Sequence, residues 1–65
     1  MNFGLNVKKF RTSAKMTQAQ LATAAGITAS MISQIEKGIK NASIVSAFEI
    51  SKALDVSLDE LCKGA

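Results

Sequence analysis

The chain predicts an all-α fold, a compact bundle of five short helices. Three observations carry that prediction. No segment sustains an apolar–polar alternation of period two, and apolar residues recur instead at three- and four-residue spacings. Proline is absent from all 65 residues. Serine or threonine caps and glycine stops divide the chain into lengths suited to helices. So short a chain predicts one domain over residues 1–65, with a small core and marginal stability.

In the first helix Phe3, Val7, Phe10 and Ala14 form one apolar stripe. Met16 follows as a core plug in the loop. The second helix opens at Thr17, where Thr17-Gln18-Ala19-Gln20 has the pattern of a capping box. Its inward residues are Leu21, Ala22 and Ala25, and Gly26 stops it. Ile27 is expected to be buried in the turn. Thr28 caps a third helix over 28–36 with Ile32 and Ile35 inward, Met31 at the border and Lys37-Gly38 closing it. Ser43 caps a fourth helix whose inward stripe is read as Ile44, Ala47, Phe48, Ser51 and Leu54. Ser57-Leu58-Asp59-Glu60 reads as a second capping box, opening a short last helix with Leu58 and Leu61.

Composition excludes several function classes. One cysteine, Cys62, and no histidine leave neither an intrachain disulfide nor a zinc site. No metal and no cofactor are expected. Without histidine, a metal-ligand cluster or a phosphate-cradling glycine loop, enzymatic chemistry has no visible machinery. Met1-Asn2-Phe3 begins no signal peptide, and no apolar run is long enough to span a bilayer. A soluble cytoplasmic protein without a membrane partner is the expectation. Charge is uneven along the chain. Residues 1–40 carry a net +5 and residues 41–65 a net −2. A basic first part suggests a surface that meets a polyanion.

Helix two, the tight turn at Gly26 and helix three have the layout of a helix-turn-helix, at about residues 17–36. In that motif the first helix crosses the DNA backbone and the second lies in the major groove. Ala22 is small enough for close approach of the two helices, and Ile27, Ile32 and Ile35 fix the second helix to the body.

The chain resembles the Cro/C1-type (XRE-like) helix-turn-helix family of phage repressors and bacterial regulators. The resemblance rests on Met16-Thr17-Gln18-Ala19-Gln20-Leu21-Ala22, Ala25-Gly26-Ile27-Thr28, Ile32-Ser33-Gln34-Ile35-Glu36-Lys37-Gly38 and Ala53-Leu54-Asp55-Val56-Ser57-Leu58-Asp59-Glu60-Leu61. It covers roughly residues 3–62 and implies a lambda-repressor-like five-helix bundle. Two positions depart from the family. Ala42 stands where proline often precedes the cap of helix four. Asp55 stands where glycine often ends that helix, so it must turn left-handed or end the helix differently.

The resemblance also implies roles. Ala29, Ser30, Ser33, Gln34 and Lys37 would look into the groove. Gln34 can bond an adenine through two hydrogen bonds, whereas Ser30 and Ser33 discriminate weakly and Ala29 suits a thymine methyl. No arginine on this face predicts strong guanine reading. Thr17, Gln18 and Thr28 would hold phosphates near helix N-termini, and Lys37, Lys40 and Asn41 would flank the backbone. Lys8, Lys9 and Lys15 read more simply as a solvated face. Arg11 and Glu36 would form a partly buried ion pair; direct phosphate contact by Arg11 is the other reading open to it. A homodimer on a pseudo-palindromic operator follows from the family alone. Val56, Leu58, Leu61 and Cys62 are candidates for its interface, with core packing the competing role for Leu58 and Leu61.

The implied function is a sequence-specific double-stranded DNA-binding transcriptional regulator, acting as a repressor. Other readings of the same fold are an antitoxin, a restriction-modification controller, or a protein-interaction domain without DNA binding.

Overall fold

The computed structural model describes residues 3–63. Its elements are α1 (Phe3–Ser13), α2 (Gln18–Ala25), α3 (Ala29–Glu36), α4 (Ile44–Leu54) and α5 (Leu58–Cys62). This is the all-α, five-helix architecture that the sequence predicts. Met1 and Asn2, on which the signal-peptide reading drew, lie outside the described residues, as do Gly64 and Ala65. Among the described residues no helix is long and apolar enough to cross a membrane, and no group of acidic, Cys or His side chains is placed to hold a metal.

Side-chain caps begin four of the helices. Thr17 and Gln20 complete a reciprocal capping box: Gln20 N donates to Thr17 Oγ1 at 3.0 Å and Thr17 N to Gln20 Oε1 at 2.8 Å. Thr28 and Ser43 each accept one backbone N–H. Ser57 accepts from Glu60 N, but the second box is only half formed, because the Glu60 carboxylate pairs with Lys63 at 3.3 Å.

One device ends four helices: a left-handed residue followed by an N–H that reaches back five positions, the Schellman motif. The bonds are Met16 N to Arg11 O at 3.1 Å, Ile27 N to Ala22 O at 2.9 Å, Ile39 N to Gln34 O at 3.0 Å and Val56 N to Ser51 O at 3.0 Å. Gly26 (φ 73°) and Gly38 (φ 75°) take two of the left-handed positions without steric cost, while Lys15 and Asp55 (both φ 58°) take the others. Asp55 thus adopts the left-handed of its two expected options.

Val7, Leu21, Ile32, Ile50 and Leu61 are fully buried, with Ala22, Ala25, Ile35 and Leu54 around them. Three expectations are corrected. In α4 the inward side is Ile50, Ser51 and Leu54, whereas Ile44 and Phe48 are 77% and 52% exposed. This helix has apolar side chains at 44, 45, 47, 48, 50, 53 and 54. They wrap most of its circumference, so spacing alone selects no face. Ala14 is exposed because α1 ends at Ser13 and the Lys15 turn carries it outward. Ile27 is half-buried against the core rather than enclosed.

Two residues of α1 set the arrangement of the ends. A Cβ on Gly4 would overlap the Ile35 carbonyl oxygen and come within 3.2 Å of Glu36 Cα. α1 therefore meets the end of α3 backbone to backbone. Asn6 Nδ2 donates to the carbonyls of Leu61 at 2.8 Å and Lys63 at 2.6 Å. It satisfies carbonyls that the short α5 leaves without helical partners.

Candidate nucleic-acid interface

The turn of residues 26–28 joins α2 to α3. Ala22 is buried, at 3% exposed, and the buried Ile32 and Ile35 fix the inner side of α3. The opposite side of α3 has a different chemistry. Ala29 and Ser30 are exposed, and Ser33 and Gln34 are half-buried along its edge. Among the described residues no side-chain hydrogen bond occupies Ser30, Ser33 or Gln34. Their donors and acceptors remain open to an outside partner. Small residues at 29, 30 and 33 let such a partner approach close to the helix axis, and the Gln34 carboxamide supplies an adjacent donor and acceptor.

Polar groups frame this surface. The Thr17–Gln20 box leaves the Gln18 and Ala19 N–H groups at the positive end of α2 without intrahelical partners. Thr28 Oγ1 accepts from Met31 N at 3.1 Å, so its hydroxyl proton can still be donated outward. Lys37, Lys40 and Asn41 are exposed on the segment that leaves α3. Lys8, Lys9 and Lys15 are exposed as well.

Beneath the surface lies a charged network. Arg11 Nε donates to Glu36 Oε2 at 2.7 Å and Arg11 Nη2 to Glu36 Oε1 at 3.1 Å. The side chains are 12% and 3% exposed. Arg11 Nη1 also donates to the Met16 carbonyl at 2.8 Å, so one guanidinium joins α1, the following loop and the end of α3. In this arrangement the guanidinium points inward, away from the role of a phosphate ligand. Gln18 Nε2 donates to Glu36 Oε1 at 3.0 Å. Glu36 thus links the first residue of α2 to the last of α3. With one N–H held, the Gln18 carboxamide keeps its second N–H.

Sequence reasoning missed the Gln18–Glu36 bond, Gly4 and Asn6. A signal existed for the first. A carboxylate in the last turn of a helix opposes the helix dipole, so Glu36 needs donors from elsewhere. A glycine inside a helical stripe similarly marks Gly4 as a site of close approach. No comparable pattern marks Asn6.

The four candidate interface residues of the last segment separate. Leu61 is fully buried in the protomer's own core, which corrects its assignment to an interface: its side chain has no surface to offer. Val56 and Leu58 are half-buried, and Cys62 is exposed.

Two helices at a glycine turn, with a small polar outer face and donor-rich ends, define a helix-turn-helix domain. The chain belongs to the helix-turn-helix family, whose model matches residues 7–61. It is 40% identical over 62 residues to an uncharacterised HTH-type transcriptional regulator, YqaE, of Bacillus subtilis (strain 168). That match takes in 95% of this chain but 53% of YqaE, so the chain spans about half the length of that relative. Among solved structures, the P22 c2 repressor in complex with synthetic operator 9T superposes with a TM-score of 0.91 at 31% identity, over 100% of this chain and 98% of that one. The restriction-modification controller protein C.AhdI from Aeromonas hydrophila gives 0.89 at 32%, over 92% and 91%. SinR in complex with DNA, described as a master regulator for biofilm formation, gives 0.86 at 33%, over 91% and 95%.

Proposed function

We propose that residues 1–65 form a sequence-specific double-stranded DNA-binding unit of a transcriptional repressor. It works in the cytoplasm as a homodimer on a pseudo-palindromic operator, and the reading includes no enzymatic step. The observation that carries it is the two-sidedness of α3. Ile32 and Ile35 anchor one side in the core, and Ala29, Ser30, Ser33 and Gln34 leave the other small, polar and unbonded. In a major groove that side meets base edges. Gln34 reads adenine, the serines adjust to either base, and Ala29 packs on a thymine methyl. The N-terminus of α2, Thr28, Lys37, Lys40 and Asn41 engage the phosphates on either side. Glu36 acts as a positioning residue, holding Gln18 and the end of α3 in one frame. The likeness to a repressor solved with its operator, at near-complete coverage of both chains, supports this reading.

Selection of bound sites from random duplex DNA tests it. The expected result is an enriched palindrome with half-site centres about 34 Å apart, one helical turn. Affinity for the enriched site should fall steeply with salt, because several phosphates are neutralised. Failure to enrich any sequence would contradict the proposal. The similarity to C.AhdI, over 91% of a chain of comparable size, favours control of a restriction-modification system as the second reading. Both readings share the DNA surface and differ in the gene regulated.

A further inference from the structure

We infer that the cleft bounded by the start of α1, the end of α3 and the start of α4 binds a small apolar molecule with one anionic head group, of the class of a medium-chain carboxylate. The cleft measures about 360 Å³. That is the size of a small-ligand site. Its large lining side chains are Phe3, Ile35, Ile44 and Leu58.

The hollow has a local cause. Gly4, Gly38, Ala42 and Ala47 stand between those large groups. Residues with little or no side chain leave unfilled the space that their neighbours bound. Ala42 contributes to this, since it stands where proline often precedes the cap of α4 and offers less bulk. Ile35 belongs to the core, so the cleft reaches down to core packing. Ile44 is 77% exposed at its edge. An apolar body in the cleft would take part of that side chain out of water.

Charge selects the head group. Lys40 is the one charged residue lining the cleft among the described residues, and no carboxylate lines it. No salt bridge among the described residues engages Lys40. Asn41 follows directly and adds a carboxamide donor on the same wall. An apolar hollow with an unneutralised ammonium on its wall suits a molecule that is apolar at one end and anionic at the other. A cationic molecule would meet Lys40 with like charge. A neutral one would leave the ammonium unpaired, and a bare anion would leave the hollow empty.

The cleft also adjoins the surface proposed for DNA. Lys40 and Asn41 belong to both, and Ile35 and Gly38 lie at the end of α3. A bound head group therefore competes with phosphate for Lys40. This competition rests on the DNA-binding reading above, whereas the binding site itself does not.

Titration of the isotopically labelled full chain with octanoate, octanol and octylammonium tests the site without DNA. Octanoate should shift the amide signals of Gly38, Lys40, Asn41 and Ala47 to saturation. Octanol should bind about tenfold more weakly, the loss of one charge-assisted hydrogen bond, and octylammonium more weakly still. Lys40→Gln, on an exposed segment, should bring octanoate down to the affinity of octanol. Ala47→Leu should fill the hollow and abolish saturable shifts by all three probes. Absence of saturable shifts around the cleft in wild type overturns the proposal. So does equal binding of octanoate and octanol, or a Lys40→Gln that binds octanoate like wild type. In a second arm, saturating octanoate should weaken binding to the selected duplex about tenfold in wild type. It should leave Ala47→Leu unaffected. Unchanged DNA affinity in wild type would overturn the competition. Failure of the DNA-binding reading would appear separately, in the site selection.

Discussion

The half of the molecule from Arg11 to Gly38 and the half formed by α4 and α5 are held together by different means. The first half is tied by directional bonds. Arg11, Gln18 and Glu36 converge in one buried network, a complete capping box opens α2, and glycines end α2 and α3. Its outer face is small and polar. The second half is held mainly by apolar packing of Ile50, Leu54 and Leu61. Its second capping box is half formed, Asp55 ends α4 in a left-handed turn, and large apolar groups remain outside. A helix that must present a fixed orientation to an outside partner is secured by groups with directional requirements. A helix that completes a core needs only volume and greasiness, and its orientation about its own axis is less tightly encoded.

The largest predicted effect strikes the directional half. Glu36→Ala leaves the Arg11 guanidinium nearly buried and without its carboxylate, which costs about 3–5 kcal/mol. A domain of this size holds on the order of 3–10 kcal/mol in total. The urea midpoint should therefore fall by a large fraction, and a midpoint equal to wild type would remove the ion pair from the account.

The next pair of variants tests the α4 register. Ile50→Ala opens a cavity in the core and should cost about 2–5 kcal/mol. Phe48→Ser, on the exposed side, should change stability by no more than about 0.5 kcal/mol in dilute solution. The reverse ranking would restore the inward stripe first read from the sequence. Gly4→Ala should cost about 1–3 kcal/mol through overlap with the Ile35 carbonyl, even though alanine is the better helix former. Stabilisation by that change would deny the close approach of α1 to α3.

The smallest effects contrast the helix ends. Lys15→Gly should raise stability by about 1 kcal/mol by relieving a left-handed side chain. Asp55→Gly should gain less, since aspartate tolerates that region better. Gly26→Ala should lose about 1 kcal/mol, all of it from the backbone, because a Cβ there meets nothing within 4 Å. Thermal melts of the three proteins would order them.

The same contrast explains what was legible in the sequence. Turn chemistry is local, so Thr17, Gly26, Thr28 and Gly38 placed α2 and α3 to within a residue. The outer face of α3 followed once Ile32 and Ile35 were recognised as its inner one. Long-range contacts leave weaker marks. The bond of Asn6 to the end of α5 spans 55 positions and has no pattern of its own. The face of α4 is not legible from spacing because its apolar residues nearly encircle it, and packing against α1, α2 and α5 decides between them.

The most direct measurement is a titration of the isotopically labelled chain with the duplex recovered by site selection, followed by the backbone amide and glutamine side-chain signals. The account predicts the largest shifts at Thr17, Gln18 and residues 28–34, including the Gln34 carboxamide, with further shifts at Lys37, Lys40 and Asn41. Shifts confined to α4 and α5, with α3 silent, would contradict it.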